Sequence, residues 1–221
     1  MKNVVLGLLV LLFAFSCSED AENQEDMIST DSGDNDVAVS ERILIPDAAF
    51  EQALIDLNFD NELDGAVDKS RVDFVTDLII DNKEISDLTG IAGFDALVNL
   101  NVRNNQLTEV DVSDNSNLLF VWAEDNRLES IDVDGLSSLE KLGLDRNVLV
   151  QLNVNSNSSL QLLTASDNRI NAIDVSNNGA LTDFTIENNP LNCILVSQAQ
   201  LDAIPLDWTK DDNDSYSLDC E

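Results

Sequence analysis

The sequence predicts a solenoid of the α/β class, built from stacked coils that each contribute one short parallel β-strand. Three observations predict it. A 21-residue repeat runs without a gap from Leu97, every repeat carries Asn at the same place, and apolar and polar residues alternate where each strand is expected.

Six apolar columns and one polar column align when the sequence is written in rows of 21 from Leu97. Columns four and six, Leu100 and Val102 in the first row, alternate with polar neighbours, as a half-buried strand requires. Columns one, eleven, fourteen and sixteen are also apolar and are predicted to point inward from the rest of the coil.

The ninth column is Asn in all five rows, at the place where the chain is expected to leave the strand and turn. A buried amide there can both donate to and accept from backbone groups that the turn leaves unpaired. We therefore predict a structural ladder of stacked amides, made by Asn105, Asn126, Asn147, Asn168 and Asn189.

These columns spell LxxLxLxxNxL, and the chain resembles the leucine-rich-repeat family. The segment 85–94 is similar to internalin repeats, in a coil of 22 residues where Lys83 replaces the Asn. Segment 107–113 is similar to repeats of Bacteroidetes surface proteins. The resemblance implies repeats over 75–190, strands on a concave face that binds ligands, and a mostly irregular convex side.

Both ends of the solenoid are expected to be capped, because an open end would expose the apolar core. Pro46 and Asp47 precede apolar residues at helical spacing, which predicts a helix in an N-terminal cap over 42–74 and resembles the family's cap helix. A C-terminal cap is expected over 191–221. Cys193 and Cys220 are predicted to form a disulfide there, because the chain is expected to be secreted.

The N-terminus is predicted to be a signal peptide over 1–16, with a positive start and an apolar run too short to span a bilayer. The run ends in a motif that resembles a bacterial lipobox and implies lipidation of Cys17. The alternative is an ordinary signal peptide with Cys17 incidental. The acidic segment 17–41 is predicted to be a flexible tether.

Residues Ser18-Glu19-Asp20 resemble the export signal of Bacteroidetes surface lipoproteins, which implies an outer-membrane lipoprotein displayed on the cell surface. The alternative is that a solvated tether is acidic because the whole protein is. The lipid anchor would be the only membrane contact.

The balance of 43 Asp and Glu against 11 Lys and Arg gives a net charge of -32, which disfavours nucleic acid as a partner. The sequence has no His, and therefore lacks the commonest general base and metal ligand. It contains no Gly-rich phosphate loop and no set of residues for nucleophilic catalysis. We expect neither an enzyme nor a cofactor.

Two acidic patterns raise the question of a metal, and we predict none. Residues 60–65 resemble the start of an EF-hand loop, but Arg71 stands at the twelfth position where a bidentate Glu is needed. We interpret the segment as a turn. An Asp column (Asp111, Asp132 and Asp174), interrupted by Asn153, is expected to bond the local backbone; a cation-binding ladder is the alternative.

Ligand-binding residues are expected beside the buried strand position, where side chains face the concave surface. Phe120, Trp122 and Leu162 are predicted to be exposed apolar groups. The candidate contact residues are Phe120, Trp122, Glu124, Arg103, Lys141, Asp145 and Leu162. The alternative is that Phe120 and Trp122 only pack against flanking coils.

The function that we favour from the sequence is binding of a protein or peptide partner by a monomer. A structural or adhesive spacer in the cell envelope is the second hypothesis. A glycan-binding accessory protein is the third, because an exposed Trp can stack on a sugar ring.

Overall fold

The computed structural model describes residues 41–220. The expected signal peptide, Cys17 and all but the last residue of the expected tether lie outside this range. Within it, the strands in chain order are β1 (Arg42–Leu44), β2 (Ala66–Asp68), β3 (Asp77–Ile79), β4 (Asn99–Asn101), β5 (Glu109–Asp111), β6 (Phe120–Trp122), β7 (Ser130–Asp132), β8 (Lys141–Gly143), β9 (Leu162–Thr164), β10 (Ile173–Asp174), β11 (Asp183–Thr185), β12 (Cys193–Leu195), β13 (Asp207–Thr209) and β14 (Ser215–Ser217).

Two α-helices and two short 3-10 helices complete the described part of the chain. They are α1 (Ala48–Asp56), α2 (Gln198–Asp202) and the 3-10 helices Lys69–Arg71 and Ile91–Gly93. None of the helices in residues 41–220 is long and apolar enough to cross a membrane.

The strands confirm the predicted solenoid of about seven coils. Within the described residues, seven strands pair in parallel in the order β3-β4-β6-β8-β9-β11-β13, one strand per coil. A second layer holds the parallel pair β5-β7 and the parallel set β10-β12-β14. Near the N-terminal end, β1 and β2 pair antiparallel.

The core is an aliphatic rod that runs along the stacked coils. All members of columns one, four, six, eleven and sixteen are buried. Column fourteen is buried in four rows, and Ile131 is its half-exposed member. The repeat therefore places its apolar side chains as the columns predict.

The side chains of the Asn column lie in one internal file between neighbouring coils, and each is at most 9% exposed. Nδ2 of Asn147 donates to the carbonyl oxygens of Ala123 and Leu144, both at 3.0 Å, and its Oδ1 accepts from the Leu128 amide at 2.9 Å. The other four members repeat these three bonds, which join each coil to the one before it.

The residue before each Asn adopts the left-handed backbone conformation, with φ between 53° and 59°. This conformation turns the chain out of the strand, and Asn and Asp tolerate it better than other non-glycine residues. Four of the five positions are Asn or Asp. The fifth is Arg146, whose side chain pairs with Asp125 of the preceding coil. The five residues are Asn104, Asp125, Arg146, Asp167 and Asn188.

A second, incomplete file of buried amides was not predicted from the sequence. Asn115, Asn157 and Asn178 each donate from Nδ2 to two backbone carbonyls of the preceding coil. Their 21-residue spacing is visible in the sequence, but Leu136 stands at the fourth position and hides the column. This file joins the coils on the return side.

The N-terminal cap is bound to the first coil by two carboxylates. Oδ1 of Asp47 caps α1 by accepting from the amides of Ala49 and Phe50, and its Oδ2 accepts from Ser86 and Asp87 of the first coil. Glu51, 2% exposed, accepts three backbone N–H bonds from residues 64–66. The cap is therefore tied by hydrogen bonds as well as by the packing of Phe50 on Phe94.

The C-terminal end is closed by the predicted disulfide between Cys193 and Cys220, which is confirmed. Parallel pairing continues past residue 190, because β13 pairs with β11 and β14 pairs with β12. In the intervening helix α2, Gln200 donates to the carbonyls of Val175 and Asn178, in the manner of the second amide file.

Replacing Asn147 by Leu should lower the free energy of unfolding by about 3 kcal/mol or more, because two buried carbonyls and one buried amide lose their partner. Urea denaturation followed by circular dichroism measures the change. The control is Asn155→Leu at an exposed position, where we expect less than about 0.5 kcal/mol. Equal effects of the two changes would contradict a structural role for the file.

The Asp47 carboxylate should make stability depend on pH. Burial alone would raise its pKa, but the hydrogen bonds from Ser86, Phe50 and Ala49 outweigh burial, so the pKa lies below its ordinary value. The stabilisation is therefore complete above the ordinary carboxyl pKa of about 3.9, and is lost as the pH falls through the lower folded value.

We expect Asp47→Asn to cost about 1–2 kcal/mol at neutral pH. The difference from the wild type should shrink below pH about 4, measured by urea denaturation across pH. The exposed Asp73→Asn is the matched control. A difference that does not change with pH would show that the charge of Asp47 has no part in the cap.

Candidate functional site

The candidate site lies on the outward side of the seven-stranded sheet, which we call the strand face. The strand register aligns its side chains in two ladders. One ladder consists of Asp77, Asn99, Phe120, Lys141, Leu162, Asp183 and Asp207. The other consists of Ile79, Asn101, Trp122, Gly143, Thr164, Thr185 and Thr209.

Trp122 is the centre of a compact cluster on this face. The guanidinium carbon of Arg103 lies 4.5 Å from the centre of the Trp122 ring. Nε and Nη2 of Arg103 donate to the two carboxylate oxygens of Glu124 at 2.6 and 2.7 Å. Glu124 is only 8% exposed, and this two-pronged ion pair compensates the burial of its charge. We call Arg103, Trp122, Glu124 and Gly143 the Trp122 cluster.

Gly143 is the floor on which the cluster packs. A Cβ atom at this position would lie 2.7 Å from Cδ and Oε1 of Glu124 and 2.8 Å from Cε3 of Trp122. The absence of a side chain therefore lets both groups lie close to the sheet. Sequence analysis missed this role, although Gly143 is the only Gly in its column and stands one repeat after Trp122.

The predicted exposure of Phe120, Trp122 and Leu162 is wrong, because all three are half-buried. Trp122 lies under Arg103, and the Lys141 ammonium lies 5.6 Å from the centre of the Phe120 ring. The alternative, packing against flanking coils, describes both aromatic side chains better. An exposed apolar side chain of the strand face is instead Ile79, at the edge strand β3.

Asp145 lies one coil beyond Glu124 in the same repeat position. Its Oδ1 accepts from the Ser166 amide at 2.7 Å. Burial raises the pKa of Asp145 above its ordinary value, and the charge of Glu124 adds to the increase. The structure thus brings Arg103, Trp122, Glu124 and Asp145 to neighbouring coils, and Phe120, Lys141 and Leu162 to one ladder.

The opposite charges of Arg103 and Glu124 also escaped sequence analysis as a pair. They stand 21 residues apart in the same column, and so do Asp125 and Arg146, which form a second ion pair on the next position. Like-position charges of opposite sign, one repeat apart, are the signal that would have identified both pairs. Toward β11 and β13 the face carries Asp183, Glu187, Asp207 and Asp211.

The segment that resembles an EF-hand start is a turn between the cap helix and the first coil. Its backbone amides at 64–66 are held by Glu51, and Asp64 pairs with Arg42. Residues 41–220 contain no group of three or more Asp, Glu, Cys or His side chains placed to hold a metal ion.

The Asp column bonds its local backbone. Oδ1 of Asp111, Asp132 and Asp174 accepts from the amide two residues later, at 2.9 to 3.0 Å. Asn153, which interrupts the column in sequence, makes the same bond to Asn155 at 3.1 Å. The shared property of the column is therefore a turn and does not require a charge.

We predict that Gly143→Ala displaces the Trp122 ring and lowers the free energy of unfolding by about 1–3 kcal/mol. In a Trp208→Phe background, Trp122 emission should shift to longer wavelength as the ring becomes more hydrated. The matched control is Gly179→Ala, where an added Cβ meets nothing within 4 Å. Unchanged emission and stability in Gly143→Ala would contradict the packing of the Trp122 cluster.

No protein-family profile matches this chain, and no curated protein does. Among solved structures, the functional domain of InlJ from Listeria monocytogenes, which includes a cysteine ladder, is 26% identical with a TM-score of 0.62. The match covers 71% of this chain and 38% of the InlJ chain, so this chain spans well under two thirds of that protein.

Internalin C2 from Listeria monocytogenes is 21% identical over 79% of this chain and 87% of its own, with a TM-score of 0.50. That likeness concerns the fold alone. The repeat columns, the coil architecture and the match to InlJ agree with one another. The chain is an internalin-like leucine-rich-repeat protein.

Proposed function

We propose that this protein is a non-enzymatic, lipid-anchored surface protein that binds a protein or peptide partner through its strand face. The internalin-like fold is consistent with a protein-binding surface protein. The observation that carries the proposal is the Trp122 cluster, which places an Arg and a Trp in fixed positions near the middle of a continuous seven-stranded face.

The chemistry of the cluster supports recognition of a protein. Trp and Arg are enriched among residues that dominate protein–protein affinity, and they contribute most when their rotamers are already fixed. The ion pair with Glu124 and the packing on Gly143 fix Arg103 and Trp122 in advance. Arg103 has further N–H groups with which to donate to a partner.

The glycan alternative loses its main support. A sugar ring would need an open face of Trp122, whereas Arg103 covers the ring and the ring packs on Gly143. A purely structural spacer would not need a preorganised Arg–Trp–Glu cluster. We therefore favour a protein or peptide partner over both.

Three features support the lipid anchor. The apolar run 4–15 ends directly before a small residue and Cys17. The other two cysteines form a disulfide with each other, which leaves Cys17 as the one available for acylation. The acidic segment after Cys17 has the composition of a spacer between membrane and domain.

Site-directed photo-crosslinking on intact cells tests the proposal. A crosslinking residue at Lys141 or Leu162, both on the strand face, should give a discrete adduct with the partner. The matched controls are Val150 and Leu201, which are exposed and lie outside the strand face. We expect no adduct from them.

The same cells test the anchor, because Cys17→Ser should release the protein from the membrane fraction and abolish the adduct. Adducts from the control positions alone would refute the strand face as the binding surface. Retention of the Cys17→Ser protein in the membrane would refute the lipid anchor without bearing on the strand face.

A further inference from the structure

A groove of about 670 Å³ lies on the second strand layer, apart from the strand face. Its floor is formed by β5 and β7, its wall by residues 87–92 of the first coil, and its far end reaches Asn153. Neither the Trp122 cluster nor the repeat pattern accounts for it.

The groove arises where the repeat type changes. The first coil has 22 residues and returns through the 3-10 helix Ile91–Gly93, whereas the next two coils return through the short strands β5 and β7. The helical turn therefore forms a step above the flat pair of strands. Gly90 fixes this step against the cap, because a Cβ there would lie 2.4 Å from Cδ1 of Ile45 and 2.5 Å from the Leu44 carbonyl.

The floor leaves one apolar side chain accessible. In column fourteen, Val110, Leu152, Ile173 and Ile194 are at most 8% exposed. Ile131 is half-exposed, because the following coil has no strand over residues 149–154 to pair with β7. The groove thus offers an apolar contact that the rest of the column conceals.

The rim is acidic and carries no compensating charge. Five carboxylates line the groove and, among the described residues, no Lys or Arg does; the five are Asp87, Glu109, Asp111, Asp114 and Asp132. Asp111 and Asp132 are direct partners in the register of β5 and β7, so two like charges stand side by side. Hydrogen bonding to Ser113 holds the pKa of Asp111 below its ordinary value, which keeps it ionised.

The carboxylates keep acceptor capacity for a ligand. Asp87, Asp111 and Asp132 bond their own turns through Oδ1. Oδ2 of each remains to accept from a donor on a partner. A metal ion does not fit, because residues 41–220 hold no group of three or more carboxylates or other ligands close enough to bind one.

We infer that this groove binds an extended peptide segment in which basic side chains flank an apolar one. The basic side chains pair with the carboxylates of β5, β7 and the wall, and the apolar side chain packs on Ile131. Charge complementarity selects the cations, and the apolar floor selects against ligands that are only charged. The inference does not depend on the function proposed for the strand face.

Fluorescence anisotropy with a fluorescein-labelled hexapeptide of alternating lysine and leucine tests it on the purified protein at about 0.15 M salt, where long-range attraction is screened. The test variant is Asp111→Asn/Asp132→Asn. Asn keeps the Oδ1 bond to the turn, as Asn153 does in the same column. We expect the variant to bind the hexapeptide about fivefold or more weakly.

The matched control is Asp174→Asn/Asp202→Asn, which removes the same charge outside the groove and includes a member of the same column. We expect less than about a twofold change there, since those charges make no direct contact. Urea midpoints of both variants establish that they are folded. Equal weakening in the two variants would overturn the inference in favour of general attraction by the net charge.

Two further probes test the apolar part. A hexapeptide of alternating lysine and serine should bind more weakly than the lysine–leucine peptide, and Ile131→Thr should reduce the difference. A hexapeptide of alternating glutamate and leucine should not bind. Absence of binding by the lysine–leucine peptide to the wild type, or equal binding of all three peptides, would overturn the inference.

Discussion

The hydrogen bonds between buried amide side chains and the backbone of the neighbouring coil are the interaction on which this structure depends. Each coil leaves its strand through a left-handed residue and turns inward, which leaves carbonyls and amides that water cannot reach. The Asn that follows joins two such carbonyls and one amide. A coil without its neighbour would leave these groups unpaired, so the coils are stable only as a stack.

The same constraint explains the two ends, where there is no neighbouring coil to complete the pattern. At the N-terminal end, carboxylates of Asp47 and Glu51 replace the amide file and bind the cap helix to the first coil. At the C-terminal end, Gln200 continues the second amide file from a short helix, and the disulfide closes the last coil. Different chemistry thus meets one requirement, the satisfaction of buried backbone groups.

The large negative charge is distributed differently on the two surfaces that we assign to binding. On the strand face, cations are present and are held by aromatic rings and by Glu124, which makes a defined pattern of charge. In the groove beside β5 and β7, carboxylates stand without cations around an apolar floor. One surface therefore presents fixed geometry and the other presents unpaired charge, and the two favour different partners.

The sequence by itself determined the solenoid, the inward columns, the Asn file and the helix start at Asp47. Each of these depends on contacts that recur at a constant spacing, so one chain period reveals them. The disulfide also followed from the sequence, because Cys is scarce and two residues remained near one end.

Only the tertiary structure decided how exposed the candidate contact residues are. Trp122 and Phe120 are covered by cations that come from neighbouring coils, and Gly143 matters through the side chain that is missing there. The groove likewise results from two unlike coils placed side by side. Such features depend on the differences between repeats once they are stacked, whereas a periodic pattern reports only what the repeats share.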